Sequence, residues 1–196
     1  MPLFAGGDPV EPGGWLWRDK KRPVWLSRPS GRHPFGPREA HALDAELLAH
    51  LAREERVDGT TLILVEDSPG HEATADAEAL CVSQYLAQHA AVVALLRARG
   101  VRVAGVLAGT GHSAAFFVNA LQAPNVYALP QARVVAMEPA AIARVTGLDP
   151  AELMTLIEED PALGHPVRHF GAWGGIKRIV PEMDRERLLS LVAEEE

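Results

Sequence analysis

Two short stretches carry residue types that could do chemistry. "SPGHEA" runs from Ser68 to Ala73, and "AGTGHSAAFF" runs from Ala108 to Phe117. Each follows an apolar run and opens onto a helical pattern. The first offers Gly70, His71 and Glu72; the second offers Gly109, Thr110, Gly111, His112, Ser113 and Ala114. A helix N-terminus presents unpaired N–H groups and partial positive charge. Two such turns facing each other could give one N–H each to a single oxygen, which is an oxyanion hole built from backbone. Small residues at such turns equally serve close packing and nothing more. Gly70 has no side chain, and a Cβ there is expected to crowd an oxygen approaching the amides of residues 70 and 71. His71 and His112 are candidate proton donors, and Glu72 is the candidate carboxylate. Glu66 and Asp67, at the end of the preceding run, read as capping or solvated groups.

The second stretch also supports a different chemistry. "GHSAA" is G-x-S-x-A after a strand, close to the nucleophile elbow of serine hydrolases. Asp149 or Asp160 with His165 or His169 would supply the remaining roles in the required order. Only 83 residues follow Ser113, which is short for the strands and loops of such an enzyme. A Clp-type protease would need a histidine one turn further along, and Ala114 to Val135 contains none.

The elements that must position these turns read as α/β. Pro37 opens a helix with Leu43, Leu47 and Leu51 on one stripe. "TTLILVE" is a buried strand. Ala75 to Arg99 is expected to be one long helix, with Cys81, Tyr85, Val92 and Leu96 on one face and Gly100 as its stop. "VRVAGVLA" is the next buried strand, and the helix from Ser113 is expected to reach about Leu121. "NVYAL" and "ARVVAM" are short strands. Asp149 caps a helix that has Pro150 first and Glu152 three past the cap, and a C-terminal helix follows. Buried strands alternating with helices predict a mostly parallel sheet covered by helices, with ligands at the strands' carboxyl ends. His33, His41, His50 and His89 read as arm or helix-surface positions.

Residues 1–36 differ from 37–196. They hold six prolines, six glycines and three tryptophans (Trp15, Trp17, Trp25), and their net charge is +3, leaving −10 for the remainder. This composition predicts an irregular arm with no regular helix or central strand. Its tryptophans are expected to dock on the body or on a partner subunit. The chain of 196 residues is 47% hydrophobic with net charge −7, which argues against general nucleic-acid binding. The lone Cys81 excludes an internal disulfide, and no zinc-ligand spacing occurs. No apolar run is long enough to span a bilayer, and the N-terminus lacks the pattern of a secretory signal. A cytoplasmic setting is expected.

"VEDSPGHEA", a helical stretch of roughly 25 residues and "GVRVAGVLAGTGHSAAFF" together resemble the gamma subunit of biotin-independent malonate decarboxylase. That family belongs to the carboxyltransferase branch of the crotonase-like fold. Its pattern is a D-x-P-G-Q turn, a helix of the same length, then G-K-A-M-S-G-A-F. "ALQAPNVYAL" and "VVAMEPAAIARVTG" are similar to its Y-Q-A-N-x-x-x-A-L and H-A-M-G-K-A-A-A-A-R-V-T, so the resemblance covers about Leu62 to Gly175. Gly70, Gly109 and Ser113 match family residues, His71 takes the Gln position and Ala114 takes a glycine position. Thr110, Gly111 and His112 replace Lys-Ala-Met, and Glu138-Pro139 replace Gly-Lys. The resemblance implies decarboxylation of a malonyl thioester to an acetyl thioester through an enolate. It places Gly70, His71, His112, Ser113 and Ala114 at the catalytic centre, and Gly109, Thr110, Gly111 and Glu72 against substrate. It implies a beta-type partner subunit and an acyl carrier protein subunit. The thioester would ride on that protein's CoA-like prosthetic group, and this chain would bind no cofactor or metal of its own. Another crotonase-like acyl-CoA enzyme and a non-catalytic scaffold subunit are the alternatives.

Overall fold

The computed structural model describes residues 8–10, 14–18, 24–29, 33–53, 57, 59–160, 165–182 and 184–193, with backbone alone before residue 33. Three strands come first: β1 (Asp8–Val10), β2 (Gly14–Arg18) and β3 (Val24–Pro29). Next come α1 (Pro37–Arg53), β4 (Thr61–Glu66), α2 (Ala75–Ala79), α3 (Val82–Ala98) and β5 (Arg102–Leu107). The middle of the chain forms β6 (Thr110–His112), α4 (Ser113–Val118), β7 (Asn125–Ala128) and β8 (Arg133–Val135). α5 (Pro139–Thr146), α6 (Pro150–Glu159), α7 (Val167–Ala172), β9 (Arg178–Ile179) and α8 (Arg185–Ala193) complete it.

Seven strands form one sheet in the order β1-β2-β3-β4-β5-β7-β9, parallel from β3 onward. β6 and β8 pair separately in parallel. The central strands are buried on both faces, which is why their sequences run apolar without alternation. Leu62 and Leu64 face the core shared with α1 and α3, whereas Ile63 and Val65 face Leu188 and Leu191 of α8. Leu43, Leu47 and Leu51 of α1 are buried as their spacing predicts. Asp149 caps α6 as expected, its Oδ1 accepting from the Ala151 amide at 2.8 Å.

Three expectations are corrected. Residues 24–29 form a central strand, with β2 antiparallel on one side and β4 parallel on the other. The arm is thus regular over its described strands. Pro23 and Pro29 fall just before and at the end of β3, where a missing N–H costs little. The docking of Trp15, Trp17 and Trp25 lies outside the described side chains. The long helix is broken: Thr74 caps α2, and Cys81, at φ 60°, redirects the chain into α3. Cys81 is therefore exposed, and Val82, Leu86, Val92, Val93 and Leu96 form the buried face. α4 is also shorter than expected, because Asn119 (φ −104°, ψ −104°) ends it before a short 3-10 turn at Ala120–Gln122.

A buried polar chain ties these elements together beneath the first turn. Asp44 of α1 accepts from His89 Nδ1 at 2.6 Å and from Gln88 Nε2 at 3.2 Å. His89 Nε2 faces Asn119 Oδ1 at 3.4 Å, and Asn119 Nδ2 donates to Glu66 Oε2 at 2.7 Å. The other oxygen of Glu66 accepts from the Ser68 hydroxyl at 2.5 Å. Glu66 and His89 are wholly enclosed, which corrects both readings of them as surface or solvated groups. A strand buried on both faces also buries its last residue. Burial raises the Glu66 carboxyl from 4.5 to about 7, against the opposing pull of Asn119, Ser68 and His89.

Two stability predictions follow from this chain. Asp44→Ala leaves His89 enclosed without its carboxylate and should cost ~3–5 kcal/mol in chemical denaturation. Gln88→Ala, which removes one neutral donor, should cost about 1 kcal/mol; equal losses would show that the ion pair has no special weight. Glu66 binds its proton more tightly in the folded chain than in the unfolded one. Its contribution is therefore fully present below pH 4.5 and lost as pH rises through about 7. The loss amounts to ~3 kcal/mol. Glu66→Gln should remove that component, so the stability of wild type relative to the variant should decline across this window. Parallel pH–stability curves for the two proteins would refute it.

Candidate functional site

The turn after β4 and the turn after β5 meet at the carboxyl end of the sheet. Backbone and side chain both join them. The Ser68 amide donates to the Thr110 carbonyl at 3.0 Å, and the Thr110 amide donates to Asp67 Oδ1 at 3.1 Å. Asp67 is thus a cap, as its sequence position suggests. Its carboxylate lies against Gly109, so a side chain there would have to displace Asp67 from the Thr110 amide.

The two histidines lace the turns from opposite directions. His112 Nδ1 lies 2.7 Å from the Pro69 carbonyl oxygen. A carbonyl only accepts, so Nδ1 carries the proton and Nε2 is left for other partners. His71 Nδ1 lies 2.8 Å from Ser113 Oγ. Ser113 enters α4 at φ 56°, a left-handed conformation that costs a non-glycine residue ~1–2 kcal/mol. The expected downstream triad does not assemble on this serine. Its partner is His71 from upstream, while Asp149 caps α6 and His165 lies beside β8, its carbonyl accepting from Val134. Burial, together with the Arg133 guanidinium, holds the His165 imidazole below its ordinary value.

Gly70 sits at φ +108°, which side chains rarely adopt, and a Cβ there would lie 3.0 Å from His112 Nδ1. Backbone and neighbour therefore disfavour a side chain at 70 before any substrate is considered, a reason separate from the expected crowding of a substrate oxygen. The Gly70 amide faces Ser68 Oγ at 3.3 Å. Phe35 fixes the rest of the turn: its amide donates to the Gly70 carbonyl at 2.8 Å, and its carbonyl accepts from Glu72 N at 3.2 Å. This parallel bridge between Phe35 and His71 turns the His71 N–H away from Phe35. Among the described residues that amide has no acceptor. At the start of α4 the parallel pairing of His112 with Val135 gives the Ser113 amide to the Val135 carbonyl, whereas the Ala114 amide lacks a partner within the helix.

Gly70, His71, Gly109, Thr110, His112, Ser113 and Ala114 are thus brought together. Gly111 is buried against Leu107 and Phe116. Glu72 turns toward Gly36, with Oε1 accepting from Thr74 Oγ1 at 3.3 Å, so it does not join the two histidines. Sequence reasoning missed Phe35, Ser68, Asn119, His89 and Asp44. The one signal available was a carboxylate closing the apolar run Leu62–Val65 of β4. Among the described residues, no group of three or more His, Cys, Asp or Glu could hold a metal ion, and no helix is long and apolar enough to cross a membrane. A separate apolar groove of about 600 Å³ lies between α5 and α6, lined by Ala140, Ala143, Leu148 and Met154 among others, and shares no residue with the turns.

The malonate decarboxylase gamma subunit family matches residues 30–194. No curated protein matches the chain in sequence. The Pseudomonas malonate decarboxylase MdcD–MdcE hetero-dimer is similar in structure, with a TM-score of 0.77 at 24% identity over 97% of this chain and 80% of that one. A Pseudomonas malonate decarboxylase hetero-tetramer in complex with coenzyme A gives 0.74 at 24% identity over 96% and 75%. The transcarboxylase 12S core gives 0.73 at 16% identity, covering 93% of this chain and 36% of that one. The fold is the crotonase-like one of these carboxyltransferases. With its sequence pattern matched over most of its length, the chain belongs to the malonate decarboxylase gamma subunit family.

Proposed function

We propose that this chain works with a beta-type subunit to decarboxylate a malonyl thioester delivered by an acyl carrier protein, and that its two turns stabilise the enolate. The observation that carries this reading is the pair of interlocked turns with open amides at His71 and at Ala114, the second residue of α4. Breaking the bond between the carboxylate carbon and the α-carbon releases CO₂ and moves its electron pair toward the thioester oxygen. Amides aimed at that oxygen act where charge develops. A proton then returns to the α-carbon: the imidazolium form of His112 gives it from Nε2 and is left neutral, with its Nδ1 proton still on the Pro69 carbonyl. The prosthetic group that carries the thioester belongs to the carrier protein and arrives with the substrate.

The related Pseudomonas hetero-tetramers are described in complex with coenzyme A and with malonate, which supports the substrate class. The MdcD–MdcE hetero-dimer supports the pairing. α5 has no buried residue, and Val145, Met154 and Trp173 are exposed, an apolar surface of the kind that partner subunits cover. A cytoplasmic setting is part of the same reading.

One observation favours a second reading. Ser113 at φ 56° with His71 at 2.8 Å has the local geometry of a serine nucleophile and its base. The two readings separate on one variant. If amides do the work, Ser113→Ala in the assembled complex keeps at least about a tenth of its kcat, whereas loss of a nucleophile costs on the order of 10⁴ or more. Labelling of Ser113 by a fluorophosphonate probe would sink the amide reading. The amide itself is tested by comparing His71→Phe with the chain carrying the α-hydroxy analogue of phenylalanine at 71, which removes only the N–H. We expect a further loss of roughly 10²–10³ in kcat, and equal rates would remove this turn from the site.

A further inference from the structure

Every hydrogen of the buried chain beneath the first turn has a fixed place except one. Asn119 Nδ2 points at two acceptors, the Val65 carbonyl at 3.4 Å and Glu66 Oε2 at 2.7 Å. Its Oδ1 therefore faces His89 Nε2, which must donate, and His89 Nδ1 donates to Asp44. Both ring nitrogens of His89 carry protons. Oε2 of Glu66 must accept from Asn119. The one proton left to place lies between Glu66 Oε1 and Ser68 Oγ, 2.5 Å apart.

That proton decides how Ser68 meets the catalytic turn. When Glu66 is ionised, the Ser68 hydroxyl donates to Oε1, and a lone pair of Oγ accepts from the Gly70 amide at 3.3 Å. When Glu66 is protonated, its proton sits on Oε1 and occupies a lone pair of Ser68. The displaced hydroxyl hydrogen then lies in a buried place with no acceptor among the described residues, or turns toward the Gly70 N–H and opposes it. Ser68 is 2% exposed, so water does not relieve either arrangement. Only the ionised form satisfies both the Ser68 hydroxyl hydrogen and the Gly70 N–H, so it pins the Pro69–Gly70 peptide, while Phe35 holds the Gly70 carbonyl in either state.

We propose that Glu66 is a positioning residue for the decarboxylation: its carboxylate, acting through the Ser68 hydroxyl, sets the Gly70 amide and so the entry to the turn that presents the His71 amide, and its protonation releases it. This rests on the reading of the His71 amide as an enolate donor. Burial places the change near neutral pH, since the Glu66 carboxyl is raised to about 7. The charged and titratable groups facing Glu66 are Asp67 on its own segment and His89 from α3, with Asp44 of α1 behind the latter. Asp67 acts against ionisation and His89 supports it.

The test pairs a rate with an amide. In the assembled decarboxylase, kcat of wild type should rise with a midpoint near pH 7 while KM stays level. Glu66→Gln presents its amide nitrogen to Ser68, because Asn119 demands the oxygen. It should therefore hold the low-pH arrangement at every pH, with kcat roughly 5- to 10-fold below the wild-type plateau and no midpoint near 7. Ser68→Ala cuts the link, should also lose the midpoint, and serves as the second variant if the first unfolds. Labelling with carbonyl-¹³C proline and ¹⁵N glycine marks two bonds, Pro12–Gly13 and Pro69–Gly70. The Gly70 amide resonance should titrate near pH 7 in wild type and in neither variant. Retention of the rate midpoint in both variants overturns the proposal, as does a Gly70 amide that does not titrate. A wild-type complex without decarboxylase activity overturns the functional reading instead, and the amide titration still decides whether Glu66 controls the turn.

Discussion

A carboxyl group enclosed at the end of a strand can be tolerated only if other elements bring donors to it. Glu66 closes β4, whose residues are buried on both faces, so its side chain has no route to water. Asn119 reaches it only because α4 ends after six residues in a conformation that leaves the helix. His89 lies on the buried side of α3 and needs an acceptor, which Asp44 supplies from α1. The ring of Phe35 meets the His89 ring edge to face at 5.2 Å, and its backbone grips the first turn. Helix packing, helix length and the shape of the turn are therefore answers to one electrostatic demand.

The same arrangement explains where backbone strain is held. Ser113 and Cys81 have positive φ without being glycine. Cys81 stands at the joint between α2 and α3, where the change of direction lets Val82 and Leu86 reach the core. Ser113 stands at the strand-to-helix corner beside His71, and the contacts between the turns hold it there. Strain of this kind persists where surrounding structure over-determines it. Here the determinants are countable: Asp67 on Thr110, Ser68 on Thr110, His112 on Pro69 and His71 on Ser113.

Much of the fold was legible because it rests on patterns that burial imposes directly. Unbroken apolar runs marked β4 and β5, and the leucine stripe marked α1. The Asp149-Pro150 cap placed α6 to the residue. The failures share a cause, which is that tertiary partners overrode local composition. Prolines at 23 and 29 made β3 look impossible as a central strand, but they fall at its margins. His89 looked superficial because its only justification, Asp44, is 45 residues away in the chain. Glu66 looked solvated because its donors come from residues 68 and 119, and no local pattern announces the second. The two turns were legible as glycine-punctuated strand ends, but not the direction of any amide within them.

The proposed amide site would set its own rules for which residues can change. The resemblance leaves Gly70, Gly109 and Ser113 in their places while Thr110, Gly111 and His112 stand where Lys, Ala and Met are the pattern. The retained positions are those where the backbone is committed: φ +108° at Gly70, the Asp67 carboxylate against Gly109, the left-handed corner at Ser113. Of the exchanged positions, Thr110 acts through groups that every residue possesses. Thr110 contributes its carbonyl to Ser68 and its amide to Asp67, and neither depends on the side chain. His112 adds a bond to Pro69 that a methionine could not make, so the exchange tightens the contact between the turns. The loss of loop lysines removes cationic side chains from this region and leaves the framework of donors untouched. On the proposed reading, substrate attraction can drift with the side chains, whereas transition-state stabilisation is tied to the backbone of the turns and to the buried chain from Asp44 to Ser68 beneath them.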